Sequence, residues 1–173
     1  MLKLDKVKYR NRVQKTDAKL IREMVRASGF FYDEEVEVAV ELVEERLAKG
    51  DRSGYYFLFA EYSDEVVGYT CFGPIPCTKS SYDLYWIVVK SDYQNKGLGK
   101  ILLQNSEDII SKFGGTRIYA ETSSRPLYDP TRAFYKKAGY REDAVIKDFY
   151  APGDSKIIYL KELPMPNVED DVC

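Results

Sequence analysis

The residues best suited to bind a ligand lie in one glycine-containing loop, Gln94-Asn95-Lys96-Gly97-Leu98-Gly99-Lys100. Glycines let a backbone approach a bound oxygen closely, and successive N–H groups at a helix start attract anions. Two lysines add full positive charges to the same segment. The loop therefore predicts a phosphate-binding site.

The segments on either side of the loop read as a strand and a helix. Residues 82–89 are rich in β-branched and aromatic side chains, which favours a strand, and a glycine pair at 114–115 ends the helical pattern. A second strand is predicted at 117–122. A helical crossover of this length joins parallel strands with right-handed topology, which puts the loop at the carboxyl end of the first strand. The helical periodicity is carried by Leu98, Ile101, Leu102, Ile109, Ile110 and Phe113.

The spacing of the loop distinguishes it from the two best-known phosphate loops. A mononucleotide loop needs Gly-x-x-x-x-Gly-Lys-Ser/Thr, and the dinucleotide fingerprint needs a third Gly or Ala where Leu102 stands. The pattern present is Gln94-x-x-Gly97-x-Gly99. It resembles the pyrophosphate loop of the GCN5-related N-acetyltransferase (GNAT) superfamily, whose members bind acetyl-CoA.

The resemblance covers roughly residues 66–160. Ile87-x-Val89 is similar to the family's strand, and the following Ser91 replaces its common proline. Phe134-Tyr135-x-x-x-Gly139-Tyr140 resembles the family's Phe-Tyr-x-x-x-Gly-Phe segment. The implied fold is α/β (α+β): one GNAT-like domain with a mixed, mostly antiparallel sheet, a central parallel strand pair, and helices on both faces.

The resemblance implies an acetyl-CoA-dependent N-acetyltransferase in which the amine attacks the thioester directly. The implied acceptor is a small primary amine or a peptide or protein N-terminus. The alternative is a non-catalytic acyl-CoA-binding or sensing module. No metal is expected, and the protein is expected to be a monomer or homodimer.

The coenzyme-binding residues implied by the resemblance come from three segments. A bulged strand near Val88–Val89 would offer a backbone N–H to the thioester carbonyl. The asparagine that often contacts the coenzyme in the next loop is absent, and Tyr128 or Thr131 stands in for it. The full set is Ile87, Val88, Val89, Gln94, Asn95, Lys96, Gly97, Leu98, Gly99, Lys100, Tyr128 and Thr131.

The chain contains no histidine, which excludes Ser-His-Asp and Cys-His systems and the usual imidazole base. Glu121 ends the strand after the helix, where a carboxylate can accept an amine proton. The resemblance to ribosomal-protein N-terminal acetyltransferases implies that Glu121 is the general base; otherwise it is an exposed strand-end acid. The same resemblance implies that Tyr135 is the general acid, although a tyrosine in a short helix is also an ordinary core residue.

Composition bounds the class of protein. The 173 residues, 45% hydrophobic and 31% charged, fit one domain, placed at 1–161 with a mobile tail at 162–173. A cytoplasmic protein is expected, because no apolar run reaches roughly 18 residues and the N-terminus lacks a signal-peptide core. Three scattered cysteines without histidine predict no metal site, and a net charge of −2 gives nucleic-acid binding little support.

The remaining segments predict elements around the acceptor. We expect an edge strand at 2–9, helices from Thr16 or Asp17 to Gly29 and from 33 to 50, and hairpins over 55–72 and 140–160. The second helix is strongly acidic and either guides a cationic amine or forms a solvated face. Acceptor contacts are expected from 29–36 and from the hairpin that carries Asp148-Phe149-Tyr150.

Overall fold

The computed structural model describes residues 2–164. Its seven strands form one sheet in the order β1-β2-β3-β4-β5-β7-β6. The strands are β1 (Lys8–Arg10), β2 (Tyr56–Tyr62), β3 (Glu65–Pro74), β4 (Ser81–Val89), β5 (Arg117–Ser123), β6 (Arg141–Ala151) and β7 (Asp154–Glu162). The helices are α1 (Asp17–Ser28), α2 (Asp33–Lys49), α3 (Leu98–Lys112) and α4 (Asp129–Lys137).

The central strands β4 and β5 are parallel, and their neighbours are antiparallel. This confirms the predicted mixed sheet with one parallel pair. Pairing between β4 and β5 joins Ser81 to Arg117 and ends with Asp83 opposite Tyr119. In the described part of the chain the two strands separate beyond that point, so a gap opens towards the carboxyl end of β4.

An extra residue in β4 accompanies this separation. Cys71 of β3 lies opposite Trp86, but the next residue, Phe72, lies opposite Leu84, which leaves Tyr85 without a partner in the ladder. Tyr85 and Trp86 consequently pack on the same face of the sheet. A bulge of this kind bends its strand and increases local twist, which accounts for the departure of β4 from β5.

Helices cover both faces, as predicted. On one face α1 and α2 pack on the sheet through Ile21, Val25 and Val43. On the other face α3 contributes Leu103 and Ile110 to a cluster that also contains Tyr135 of α4. The sheet therefore has two distinct faces, one covered by α1 and α2 and the other by α3 and α4. The side chain of each residue beside the gap points to one of these two faces.

Several element boundaries differ from the sequence prediction. The expected strand at 2–9 is shorter and lies later: β1 covers Lys8–Arg10, because Leu4–Lys6 forms a 3-10 turn. Thr16 makes no side-chain cap to α1, whereas Asp17 accepts from the Gln14 N–H at 2.7 Å. Strand β7 runs to Glu162, and the Leu163 N–H donates to the Thr116 carbonyl at 2.8 Å. Residues 165–173 of the predicted tail lie outside the described residues.

The acidic charge of α2 is partly neutralised within the protein. Arg22 of α1 makes a bidentate contact with Glu37, and Arg26 lies 3.3 Å from Asp33. These ion pairs hold the two helices together on their exposed side. They favour the interpretation of α2 as a solvated face.

Candidate active site

A cleft of about 370 Å³ occupies the gap between β4 and β5. Its walls come from the end of β4, the glycine loop, the end of β5, α4, and the loop between α1 and α2. The predicted residues that line it are Ile87, Val88, Val89, Gln94, Asn95, Gly97, Gly99, Lys100, Glu121, Tyr128, Thr131 and Tyr135.

Two of the predicted coenzyme-binding residues do not line the cleft with their side chains. Leu98 is 1% exposed and packs against Val7 and Leu58 beneath the start of α3. The Lys96 ammonium donates to the Asp92 carbonyl and lies 5.8 Å from the centroid of the Tyr93 ring. Only the backbone groups of Lys96 and Leu98 therefore belong to the loop surface that a phosphate would meet.

The glycine loop has the backbone conformation that its sequence requires. Gly97 has φ +87°, a left-handed value that side chains rarely adopt, and it is the residue before α3. The first N–H groups of a helix have no acceptor within the helix. Gln94 fixes the loop to β4, because its side-chain amide donates to the Val89 carbonyl at 2.9 Å. The result is a preformed row of amides at the mouth of the cleft.

The hydrogen-bond ladder of β4 decides which of its amides face the cleft. The Lys90 N–H donates to the Val67 carbonyl of β3 at 2.9 Å, and residues of an antiparallel pair alternate in bonding the partner strand. Val88 therefore directs its amide towards β3, while Ile87 and Val89 direct theirs towards the gap. The expected N–H donor at Val88–Val89 is corrected to Ile87 or Val89, and the bulge lies earlier, at Tyr85.

Tyr135 reaches the cleft from the α3/α4 face. It is 4% exposed, and its ring lies 5.4 Å from that of Tyr140 and 5.7 Å from that of Tyr159, centroid to centroid. Burial raises the pKa of Tyr135 above its ordinary value. The phenol is therefore protonated at neutral pH and can donate a proton or a hydrogen bond into the cleft.

Glu121 reaches the cleft from the α1/α2 face. Its neighbours in β5, Ile118 and Ala120, pack on the α3/α4 face, so strand alternation turns Glu121 the other way. Its side chain is 46% exposed, and Glu121 Oε2 lies 2.6 Å from the Lys156 ammonium. That ammonium also lies 3.9 Å from the centroid of the Phe149 ring. Lys156 was not predicted from the sequence, because the pairing between β5 and β7 is needed to bring it here.

Asp83 is a second carboxylate near Glu121 that the sequence analysis missed. It is half-buried and is the last residue of β4 paired with β5. Burial, and then the negative charge of Glu121, raise the pKa of Asp83 to about 6, while Lys156 opposes the rise. The available signal was a single charged residue between Tyr82 and Leu84 in an otherwise apolar strand.

Three loops meet on the acceptor side of the cleft. Arg125 donates to the Tyr32 hydroxyl at 3.0 Å and lies 3.3 Å from Asp154 of the β6–β7 hairpin. The Tyr128 hydroxyl donates to the Phe30 carbonyl at 3.0 Å. These contacts join the 29–36 loop to the hairpin that was predicted to hold the acceptor.

Residues 2–164 contain no cluster of three or more potential metal-ligating His, Cys, Asp or Glu side chains. Within the same range no helix is both long and apolar enough to cross a membrane.

Residues 19–140, more than half of the chain, match the acetyltransferase (GNAT) family. The chain belongs to this family. An N-alpha-acetyltransferase of Sulfurisphaera tokodaii is 29% identical over 119 residues, which cover 63% of this chain and 69% of the relative. The predicted superfamily is thereby confirmed, and the chain is an N-acetyltransferase.

Solved structures support the same assignment for the fold. A crystal structure of a GNAT-family protein from Desulfovibrio desulfuricans is 47% identical, with a TM-score of 0.89, and covers 90% of this chain and 98% of its own. An aminoglycoside 6'-N-acetyltransferase crystallised with coenzyme A is 21% identical, with a TM-score of 0.74. The match covers 93% of this chain and 99% of that structure's chain. At that identity the second likeness concerns the fold alone.

Proposed function

We propose that this GNAT protein transfers the acetyl group of acetyl-CoA to a primary amine by direct attack in the cleft. The observation that carries the proposal is the gap between β4 and β5, which adjoins the preformed amides of the glycine loop. A thioester entering the gap would meet coenzyme-binding groups on one side and ionisable groups from both faces of the sheet.

Coenzyme binding is assigned to the loop and to the end of β4. The pyrophosphate would accept hydrogen bonds from the amides at the start of α3, where Lys100 also lines the cleft. The thioester carbonyl would accept a hydrogen bond from the N–H of Ile87 or Val89. Tyr128 and Thr131, on the opposite wall, would contact the coenzyme arm.

The chemical step uses groups from opposite faces of the sheet. The amine nitrogen attacks the carbonyl carbon from the α1/α2 face, where Glu121 accepts its proton. The C–N bond forms and the C–S bond breaks, and the departing thiolate takes a proton from the Tyr135 hydroxyl on the α3/α4 face. The products are an N-acetylated amine and free coenzyme A. General acid and base groups of this kind each contribute about 10²- to 10⁴-fold to rate.

The acceptor is proposed to be a primary amine on either a small molecule or a peptide N-terminus. The Sulfurisphaera relative is an N-alpha-acetyltransferase, which supports a peptide N-terminus, while the three loops on the acceptor side leave a small amine equally open. Glu121 and Asp154 are each paired with a cation, Lys156 and Arg125, so the additional carboxylate of Asp83 is the group that would favour a cationic amine over a neutral one.

The test is an amine-dependent release of thiol from acetyl-CoA, measured with a thiol-reactive dye. The panel contains polyamines, aminoglycosides and short peptides, and each peptide is matched to its N-blocked form. Release with a free amine and not with its blocked partner, together with an acetylated product by mass spectrometry, is expected. Tight coenzyme binding without release for any amine would instead support the acyl-CoA-binding module.

A further inference from the structure

We propose that the proton leaving the acceptor amine is taken up by a coupled pair of carboxylates, Glu121 and Asp83, rather than by Glu121 alone, and that Lys156 sets the charge balance of the pair. This inference rests on the acetyl transfer proposed above and names the residues that complete its proton path.

Strand register places the three side chains on one face. Asp83 lies opposite Tyr119 at the last pairing of the parallel strands, and opposed residues share a face. Glu121 follows Tyr119 by two residues and therefore lies on that same face. Lys156 is paired with Ser123, two residues further along β5, and so joins them. The 2.6 Å contact between Lys156 and Glu121 agrees with this placement.

The two carboxylates have different surroundings and therefore different tasks. Glu121 lines the cleft and is exposed, so it can contact the amine, and its Oε2 lies 2.6 Å from the Lys156 ammonium. Asp83 is half-buried at the base of the gap and holds a proton more tightly than an ordinary aspartate, because burial and Glu121 disfavour its charge. Tyr85 faces the same group and stays neutral, because burial and Asp83 raise its pKa to about 12.

The proton path balances with no additional reactant. The amine transfers one proton to Glu121 as the C–N bond forms, and Asp83 takes it over through water. The pair then carries one negative charge beside the positive charge of Lys156. Loss of that proton to solvent restores the doubly ionised pair, while the Tyr135 hydroxyl, having protonated the thiolate, is reprotonated from solvent.

The first arm of the test follows the carboxyl of Asp83 by carbon NMR in protein labelled at its aspartate carboxyls, with Asp83→Asn used to assign the signal. The apparent pKa of Asp83 should fall by about 0.5 to 1 unit in Glu121→Gln and rise by about the same amount in Lys156→Met, since each change removes one charge. Glu162→Gln and Lys136→Met remove matched charges from exposed ion pairs elsewhere on the molecule and should leave the signal unmoved.

The second arm measures amine-dependent turnover against pH. Asp83→Asn should lower turnover by about 10- to 10²-fold and abolish an acid-side inflection near pH 6, with coenzyme affinity and melting temperature not reduced. Two results in an active enzyme would overturn the proton path alone. One is a pH profile that Asp83→Asn leaves unchanged, and the other is an apparent pKa of Asp83 that neither Glu121→Gln nor Lys156→Met changes. A wild type that binds coenzyme and acetylates no amine would overturn the proposed function and, with it, the path.

Discussion

Replacing Gly99 with alanine tests the proposed coenzyme site without disturbing the fold. Gly99 is the second residue of α3, and a methyl group built on it would lie 3.6 Å from the Phe134 ring and 3.8 Å from Val89. Both distances are ordinary van der Waals contacts. Because Phe134 and Val89 line the cleft, the new methyl group would occupy the surface that the pyrophosphate must approach.

The stability of the variant can be derived from the backbone. Gly99 has a helical conformation, so Gly99→Ala should leave stability unchanged or raise it by up to about 1 kcal/mol. Gly97 differs, because its φ of +87° makes alanine cost about 1–2 kcal/mol. Gly114 is a matched control at φ +84°: it lies at the far end of α3, and a methyl group there would meet no atom within 4 Å.

The assay pairs calorimetric titration with coenzyme A and thermal unfolding of the three variants. Gly99→Ala should bind coenzyme at least about 10-fold more weakly with an unchanged or raised melting temperature, since a lost hydrogen bond to a charged group is worth about 1.5–3 kcal/mol. Gly97→Ala and Gly114→Ala should lose similar stability, and only Gly97→Ala should lose affinity. Wild-type affinity in a folded Gly99→Ala protein would show that the phosphates do not approach this amide.

Three further variants probe the ionisable groups. Tyr135→Phe keeps the ring packing and should slow the single-turnover rate by about 10- to 10²-fold, because a thiolate is a fair leaving group; an equal rate would remove Tyr135 from the mechanism. Glu121→Gln should lower turnover by roughly 10²-fold or more, with a loss that shrinks as pH rises and more amine is neutral; full activity at pH 7 would contradict the assignment. Asp83→Asn should stabilise the protein only at higher pH: a folded-state pKa raised from 3.8 to about 6 means that ionised Asp83 destabilises the fold above pH 6 and costs nothing below pH 4. The pKa shift of about two units corresponds to about 3 kcal/mol, which solvent screening of this half-buried group reduces to about 1–2 kcal/mol. The melting temperature of Asp83→Asn should therefore rise by about 2–8 °C at about pH 8. An equal rise at about pH 4 would contradict the electrostatic cause.

The sequence predicted those parts of the site that depend on local conformation. The glycine loop was recognisable because Gly97 and Gly99 are needed where a strand turns into a helix beside an anion. The parallel pair followed from the length of the crossover through α3. Both inferences use residues within about forty positions of one another, so they required no knowledge of distant pairing.

The sequence could not predict contacts that depend on the register of distant strands. Lys156 meets Glu121 only because β7 lies between β5 and β6 in the sheet. The amide donor was predicted at Val88–Val89, and of these two only Val89 directs its N–H towards the gap. The position of the bulge determines this, because one residue of displacement exchanges the two sides of a strand. The environment of Asp83 could not be predicted for the same reason, since the charges that act on it, Glu121 and Lys156, lie on β5 and β7.

The bulge at Tyr85 also explains how the proposed acid and base, Tyr135 and Glu121, could act from opposite sides of one sheet. In a regular parallel pair the backbones of β4 and β5 would close the sheet, and Glu121 would be separated from Tyr135 by a continuous hydrogen-bonded wall. Separation beyond Asp83 removes that wall for the length of β4 that carries Ile87 and Val89. A thioester held there would be open to an amine from the α1/α2 face and to the phenol from the α3/α4 face. The same bulge that would free the amides for the carbonyl would therefore also define the direction of the proposed acetyl transfer through the sheet.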